Sequence, residues 1–224
     1  MLEMEVSKMF DRVGFKTAAK GSLKGHWKVP ILVILLYIAV AGVFPVFSSV
    51  SAEEDVPVYG LIMTFASIAV SGILEIAVIY FFLSFAKNNE TKFSYFLDGM
   101  NMWLKGILGL LWMTLWVFLW SLLLFIPGII KSYAYSQTLY VLADNPNISV
   151  RKAMNLSKVM TKGYKGDLFV MDLSFIGWSL LCVLTLCIGY LWLIPYIYTT
   201  TVNAYNFLKQ RALSTGALTE ADFN

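Results

Sequence analysis

Cysteine, histidine and charge are all scarce in this 224-residue chain, and each shortage closes a class of function. The two cysteines, Cys182 and Cys187, sit five apart in one apolar segment, on different faces of a helix. They read as small buried apolar residues, and no disulfide framework follows. A single histidine, His26, supplies neither a histidine-rich metal site nor a Ser-His-Asp triad. No glycine-rich phosphate loop and no cluster of metal ligands occurs. The reading is therefore of a non-enzyme with no catalytic residue, no metal and no cofactor. Charged residues make up only 14% of the chain, against about 25% in soluble domains. That is too little to coat a water-facing exterior, and the 58% of apolar residues points to the bilayer as solvent.

The charges present are unevenly placed. The net charge is +3, carried in short basic segments between apolar runs, a pattern that suits anionic lipid headgroups and not nucleic acid. Before Pro30 no apolar core of 7–15 residues appears, so the first span itself is expected to act as the insertion signal.

The spacing predicts an all-α polytopic membrane bundle of about six transmembrane helices in three hairpins, with interfacial amphipathic helices. Residues 1–28 form a cytoplasmic interfacial segment. In it Lys8, Arg12, Lys16, Lys20 and Lys24 recur every fourth residue, opposite Val6, Met9, Phe10, Val13 and Thr17. Residues 29–212 form the transmembrane domain, with spans at about 29–50, 58–86, 107–125, 129–143, 167–188 and 194–208. Pro30 fits a first helical turn, and Pro45 is expected to kink or end the first span. A second amphipathic helix begins after Ser149, with Arg151, Asn155, Lys158 and Lys162 as its polar stripe. Residues 213–224 read as a mobile cytoplasmic tail. With the amino terminus inside, sixteen of the seventeen Lys and Arg fall on the inner side, which places both termini in the cytoplasm.

The chain also reads as three copies of one unit: a surface helix, a basic-glycine junction and an out-and-back hairpin. The junctions are Lys24-Gly25, Lys105-Gly106 and Lys165-Gly166. Ile126-Pro127 matches Ile194-Pro195, and each opens a tyrosine-rich helix.

The carboxy-terminal half carries Ile126-Pro127-Gly128-Ile129-Ile130-Lys131-Ser132-Tyr133, then Leu142-Ala143-Asp144-Asn145-Pro146. Asp167-Leu168-Phe169, Leu173 to Trp178 and Trp192-Leu193-Ile194-Pro195-Tyr196 follow, with a weaker Lys24-Gly25-His26-Trp27 at the front. These stretches resemble a bacterial integral-membrane family, domain of unknown function 975. The resemblance implies a multi-pass membrane protein, typically of Gram-positive bacteria. It brings no activity and no catalytic residues.

The polar residues inside the apolar runs are the candidate site. Glu75 lies about 12 residues, roughly 18 Å, from the inner end of its span, and Lys131 lies roughly 20 Å from the inner end of another. Charges at matching depth suggest a pair, since a lone buried charge is costly. The pair is open to three readings: a salt bridge that orders the bundle, a proton, ion or substrate group in a polar pocket, or two side chains that snorkel apart. Asp172 is expected to face protein. Tyr133, Gln137, Tyr140, Tyr198, Asn203 and Tyr205 could line a cavity or bond helix to helix. Trp112, Trp116 and Trp120 form a stripe that meets lipid or a neighbouring helix.

The functional expectation is a non-enzymatic transport, sensing or immunity-type protein of the bacterial plasma membrane, acting on a small amphiphile, lipid or peptide. A lipid-acting membrane enzyme, or an accessory subunit of a membrane complex, is the alternative. A homo-oligomer or a membrane partner is left open.

Overall fold

The computed structural model describes residues 9–50, 57–123 and 125–223, with side chains set aside at 43–50, 57–61, 123 and 125. Among the described residues the fold is all-α. The helices are α1 (Arg12–Leu23), α2 (Lys28–Val50), α3 (Pro57–Asn88), α4 (Ser94–Met100), α5 (Trp103–Leu123) and α6 (Phe125–Tyr135). They continue with α7 (Thr138–Asp144), α8 (Val150–Met160), α9 (Lys165–Leu173), α10 (Ile176–Leu184) and α11 (Tyr190–Ser214), before a 3₁₀ turn at Glu220–Phe223. The acidic loop residues Glu53, Glu54 and Asp55 lie outside the described residues.

α3 is the axis of the bundle. It packs against α2, α4, α5, α7 and α11, and Ile76, Ala77, Val78, Phe81, Phe82 and Phe85 along it are wholly buried. Its contact with α5 is a backbone contact. A Cβ on Gly106 would stand 2.3 Å from the Gly72 carbonyl oxygen, so two glycines let the helices touch where any side chain would hold them apart. α3 stops at Asn89, whose φ of 52° gives the left-handed turn that closes many helices.

Among the described residues three helices are long and apolar enough to cross a membrane: Ile62–Asn88, Trp103–Leu122 and Lys165–Leu184. A fourth is counted if Arg12–Leu23 and Lys28–Gly42, bent by 103° at their junction, act as one. Helix α2 runs through Pro45 to Val50, the expected end of the first span. The expected boundaries shift in three places. The expected fourth span is broken into α6 and α7 at Ser136-Gln137. The fifth is interrupted at Ser174-Phe175. α11 begins at Tyr190, so Pro195 lies inside it and does not precede it. Cys187 sits exposed in the turn before α11 with φ 66°, while Cys182 is buried as expected.

The expected mobile tail folds back. Leu218 and Phe223 join the core, the Leu218 N–H donates to the Ala212 carbonyl, and Lys209 lies 4.5 Å from the Phe223 ring centre. An apolar residue at each of two tail positions gives the segment surface to bury, which its polar neighbours masked.

The three Lys-Gly junctions are not equivalent. Gly25 and Gly163 follow α1 and α8 with φ of 87° and 90°. Gly106 and Gly166 lie within helices. The structural match therefore aligns Lys24-Gly25 with Lys162-Gly163, and Lys105-Gly106 is a packing site.

Candidate functional site

The polar residues of the interior form a column along one face of α11. Tyr198, Thr201, Tyr205 and Lys209 recur at three- and four-residue spacing, which aligns them on a helix. At the lower end Asp144, the last residue of α7, accepts from Lys209 Nζ at 2.6 Å and from the Tyr205 hydroxyl at 2.9 Å. Lys87 of α3 pairs with its other oxygen. The Asp144 side chain is 4% exposed. A carboxylate at a helix C-terminus opposes the helix dipole, and burial alone would push its pKa up. The Lys209 and Lys87 bonds outweigh both and hold the carboxyl below the usual aspartate value.

Glu75 stands at the upper end, and among the described residues no cation pairs with it. The Tyr198 hydroxyl donates to one carboxyl oxygen at 2.9 Å and the Tyr37 hydroxyl to the other at 3.3 Å. Those donors come from α11 and α2, so Glu75 ties three helices together. The Tyr198 ring stacks on Phe82 with centres 5.3 Å apart; Phe82 is two turns from Glu75 on the same face of α3. Between the two ends, buried Tyr140 stacks on Tyr205 at 5.9 Å, and the Thr201 hydroxyl donates to the Ile197 carbonyl at 3.0 Å.

The expected Glu75–Lys131 pair is not formed. The Lys131 ammonium lies 4.3 Å from the centre of the Trp120 ring, and no ion pair joins it to Glu75 among the described residues. Equal depth does not fix the side of a helix. Lys131 sits on α6, which packs on α5, α8 and α9, whereas α7 is the half that packs on α3. Asp172 also departs from expectation: it lies on the exterior of α9, near Tyr133 of α6. Asn203 bonds to the Phe15 carbonyl at 3.1 Å and fastens α11 to α1.

Gln137 marks the break between α6 and α7. Its backbone N–H donates to Ser157 Oγ at 3.2 Å, and Ser157 in turn donates to the freed Ala134 carbonyl at 2.8 Å. The Thr161 hydroxyl stands 3.3 Å from the same carbonyl. α8 thus docks its Ser157–Thr161 edge on the broken helix and replaces the bonds that the break removes. Gln137 Nε2 donates to Ser136 at 3.1 Å, and its buried Oε1 has no partner among the described residues. The tryptophan stripe faces neighbouring helices, with Trp112 near Arg151 and Trp116 edge-on to Trp112.

Of the predicted residues, Glu75, Tyr140, Tyr198 and Tyr205 share the column. Lys131, Tyr133 and Asp172 lie apart from it. Sequence reasoning missed Tyr37, Lys87, Asp144 and Lys209. An aspartate at a helix C-terminus, with lysines ending two other helices, was the available signal. Among the described residues no three of His, Cys, Asp and Glu are grouped to hold a metal ion.

A family model described as "Protein of unknown function (DUF975)" matches residues 9–131 and 122–212. The chain belongs to this family. No curated protein and no solved structure matches it. In this DUF975 chain the matched residues include the whole column, from Tyr37 and Glu75 to Asp144 and Lys209. The Leu142 to Pro146 stretch acquires a physical role: it ends α7 on the carboxylate that gathers the tails of α3 and α11.

Proposed function

We propose that this DUF975 protein is a multi-pass protein of the bacterial plasma membrane with six membrane-crossing segments and both termini cytoplasmic. It acts without catalysis, as a transport, sensing or immunity-type protein for a small amphiphile, lipid or peptide. The observation that carries the membrane reading is the exterior of α5. Only 11% of its apolar window is buried, and Leu108, Leu111, Leu115, Phe118, Leu119 and Leu122 all face outward. An apolar surface of that extent is stable in hydrocarbon and not in water.

Two further segments are proposed to cross although α11 is polar along one face and α6 and α7 are each too short to span alone. α11 carries the tyrosines and threonines of the column, and α6–α7 carries the broken turn met by α8. Polar residues satisfied within a bundle are compatible with a crossing segment. The non-catalytic reading draws support from Glu75 and Asp144: each carboxyl is taken up by hydroxyl or ammonium partners from other helices.

Two experiments test this. Alkaline carbonate should leave the protein in the membrane pellet, and single cysteines placed at residues 12 and 217 should react only from the cytoplasmic side, in a chain whose own cysteines are serine. Extraction by carbonate, or termini on opposite sides, would overturn the topology. Deletion of the protein should change sensitivity to membrane-active peptides or lipids, whereas loss of a modified lipid, with build-up of its unmodified precursor, would replace the non-catalytic reading by the enzymatic one.

A further inference from the structure

The basic side of α1 was expected to face a membrane surface, yet two of its lysines, half-buried Lys16 and exposed Lys20, turn toward side chains of the neighbouring helices. Lys16 is used there: it bonds to Ser174 and lies 3.8 Å from the Phe175 ring centre. Lys20 is not. Its ammonium has only two ring faces nearby, Tyr196 at 5.5 Å and Trp178 at 5.7 Å. No carboxylate pairs with it among the described residues.

Lys20 borders a groove of about 430 Å³ between α1, α10 and α11, within the range of small-ligand pockets, about 300–1,000 Å³. The groove runs along Trp178, Leu181 and Trp192, each about half exposed at the exterior of the bundle. The Thr185 hydroxyl on its wall already donates to the Cys182 carbonyl and accepts from the Gly189 N–H. The site therefore offers one uncompensated cation and an apolar wall open at the side.

We infer that this groove binds an anionic membrane lipid, with its headgroup on the Lys20 ammonium and an acyl chain along Trp178, Leu181 and Trp192. The inference rests on the membrane reading above and names the amphiphile. A cation on an apolar, lipid-facing wall calls for an anion, because ring faces replace only part of its lost hydration. A small inorganic anion would leave the apolar length unfilled. A peptide would bring an N–H and a C=O at every residue, each needing a partner, and this wall is overwhelmingly apolar. An acyl chain needs none. The inference also narrows the expected attraction of headgroups to basic helices in general. Lys87 and Lys209 are taken by Asp144, and Lys158 lies against Tyr135 and Asn155.

The test is lipid titration of the full chain in detergent, read by native mass spectrometry, with phosphatidylglycerol and phosphatidylcholine of identical chains. The anionic lipid should bind about fivefold more tightly, the worth of one cation near a membrane surface. Lys20→Met should abolish that preference, Lys20→Arg should keep it, and Lys158→Met should leave it unchanged. Leu181→Trp, which fills the groove from an exposed position, should weaken both lipids. Equal affinities in the natural chain, or a preference that survives Lys20→Met, would overturn the inference. So would a dimer mass that Leu181→Trp converts to monomer, since a second copy would then be the occupant. Carbonate extraction separates the two ideas: a chain that stays in the membrane but shows no lipid preference contradicts only the groove.

Discussion

Two carboxyls sit at opposite ends of the α11 column, and their surroundings differ in kind. Asp144 is held by two ammonium groups and a phenol. Glu75 is held by two phenols and, among the described residues, by no cation. Ammonium groups only donate, so the Asp144 site accepts a carboxylate and nothing else. Hydroxyls donate and accept, so the Glu75 site can accommodate its carboxyl with or without a proton. The lower site is thus a charged staple across the ends of three helices. The upper one is a neutral-walled position in the interior, the kind of place where a buried acid is a functional candidate.

The largest expected effect is at the staple. Asp144→Ala leaves Lys209, 21% exposed, and Lys87, 57% exposed, without their anion. Loss of one partner from a fully buried pair costs about 3–5 kcal/mol; because Lys87 is largely exposed, about 3 kcal/mol is expected in detergent unfolding. Lys87→Met alone should cost no more than about 1 kcal/mol. The staple also carries a pH signature. Its carboxyl lies below the ordinary aspartate value in the folded chain. Its contribution is therefore full above the unfolded value, about 3.9, and is lost as pH falls through the lower folded value. Acid melting curves should show a destabilised limb below about pH 4 that Asp144→Ala flattens.

Next in size is the broken helix. Ser157→Ala removes the donor to the Ala134 carbonyl and the acceptor for the Gln137 N–H. The buried Gln137 N–H loses its partner and the Ala134 carbonyl keeps only the Thr161 hydroxyl at 3.3 Å, so a loss of about 2 kcal/mol is expected, with Ser157→Thr milder. Smaller again is Tyr198→Phe, expected to cost about 1 kcal/mol for one hydrogen bond to Glu75. Glu75→Gln should stay within about 1 kcal/mol of the natural chain, since the amide oxygen still accepts. A loss as large as that of Asp144→Ala would mean that Glu75 has a cationic partner and would erase the contrast between the sites. Smallest is the Glu75–Lys131 coupling. A cycle of Glu75→Gln and Lys131→Met should give less than about 0.5 kcal/mol, as for separate sites.

Much of this arrangement was legible in the sequence, and the illegible parts share a cause. Apolar runs, Pro30 and the Ser149 cap gave helix positions to within a few residues. Glu75 stood out because a charge among apolar neighbours is conspicuous. Its partners did not, because depth can be counted along a helix whereas facing direction depends on which neighbour packs where. That is why Lys131 was matched to Glu75 and lies on Trp120. The break at Ser136-Gln137 was hidden too. No proline or glycine marks it; Ser157 and Thr161, twenty or more residues later, supply the bonds that stabilise it. Gly106 looked like a junction and is a packing glycine, a role set by Gly72 on another helix.

The contrast between staple and neutral pocket has meaning only if the column is interior and the face of α5 meets lipid. Single cysteines at Leu111, Leu115 and Phe118, in a chain without Cys182 and Cys187, test this directly with a membrane-impermeant maleimide on intact vesicles of both orientations. These positions are partly or largely exposed on the molecule, so they should label in detergent and stay unlabelled in vesicles. Labelling in intact vesicles would contradict the account.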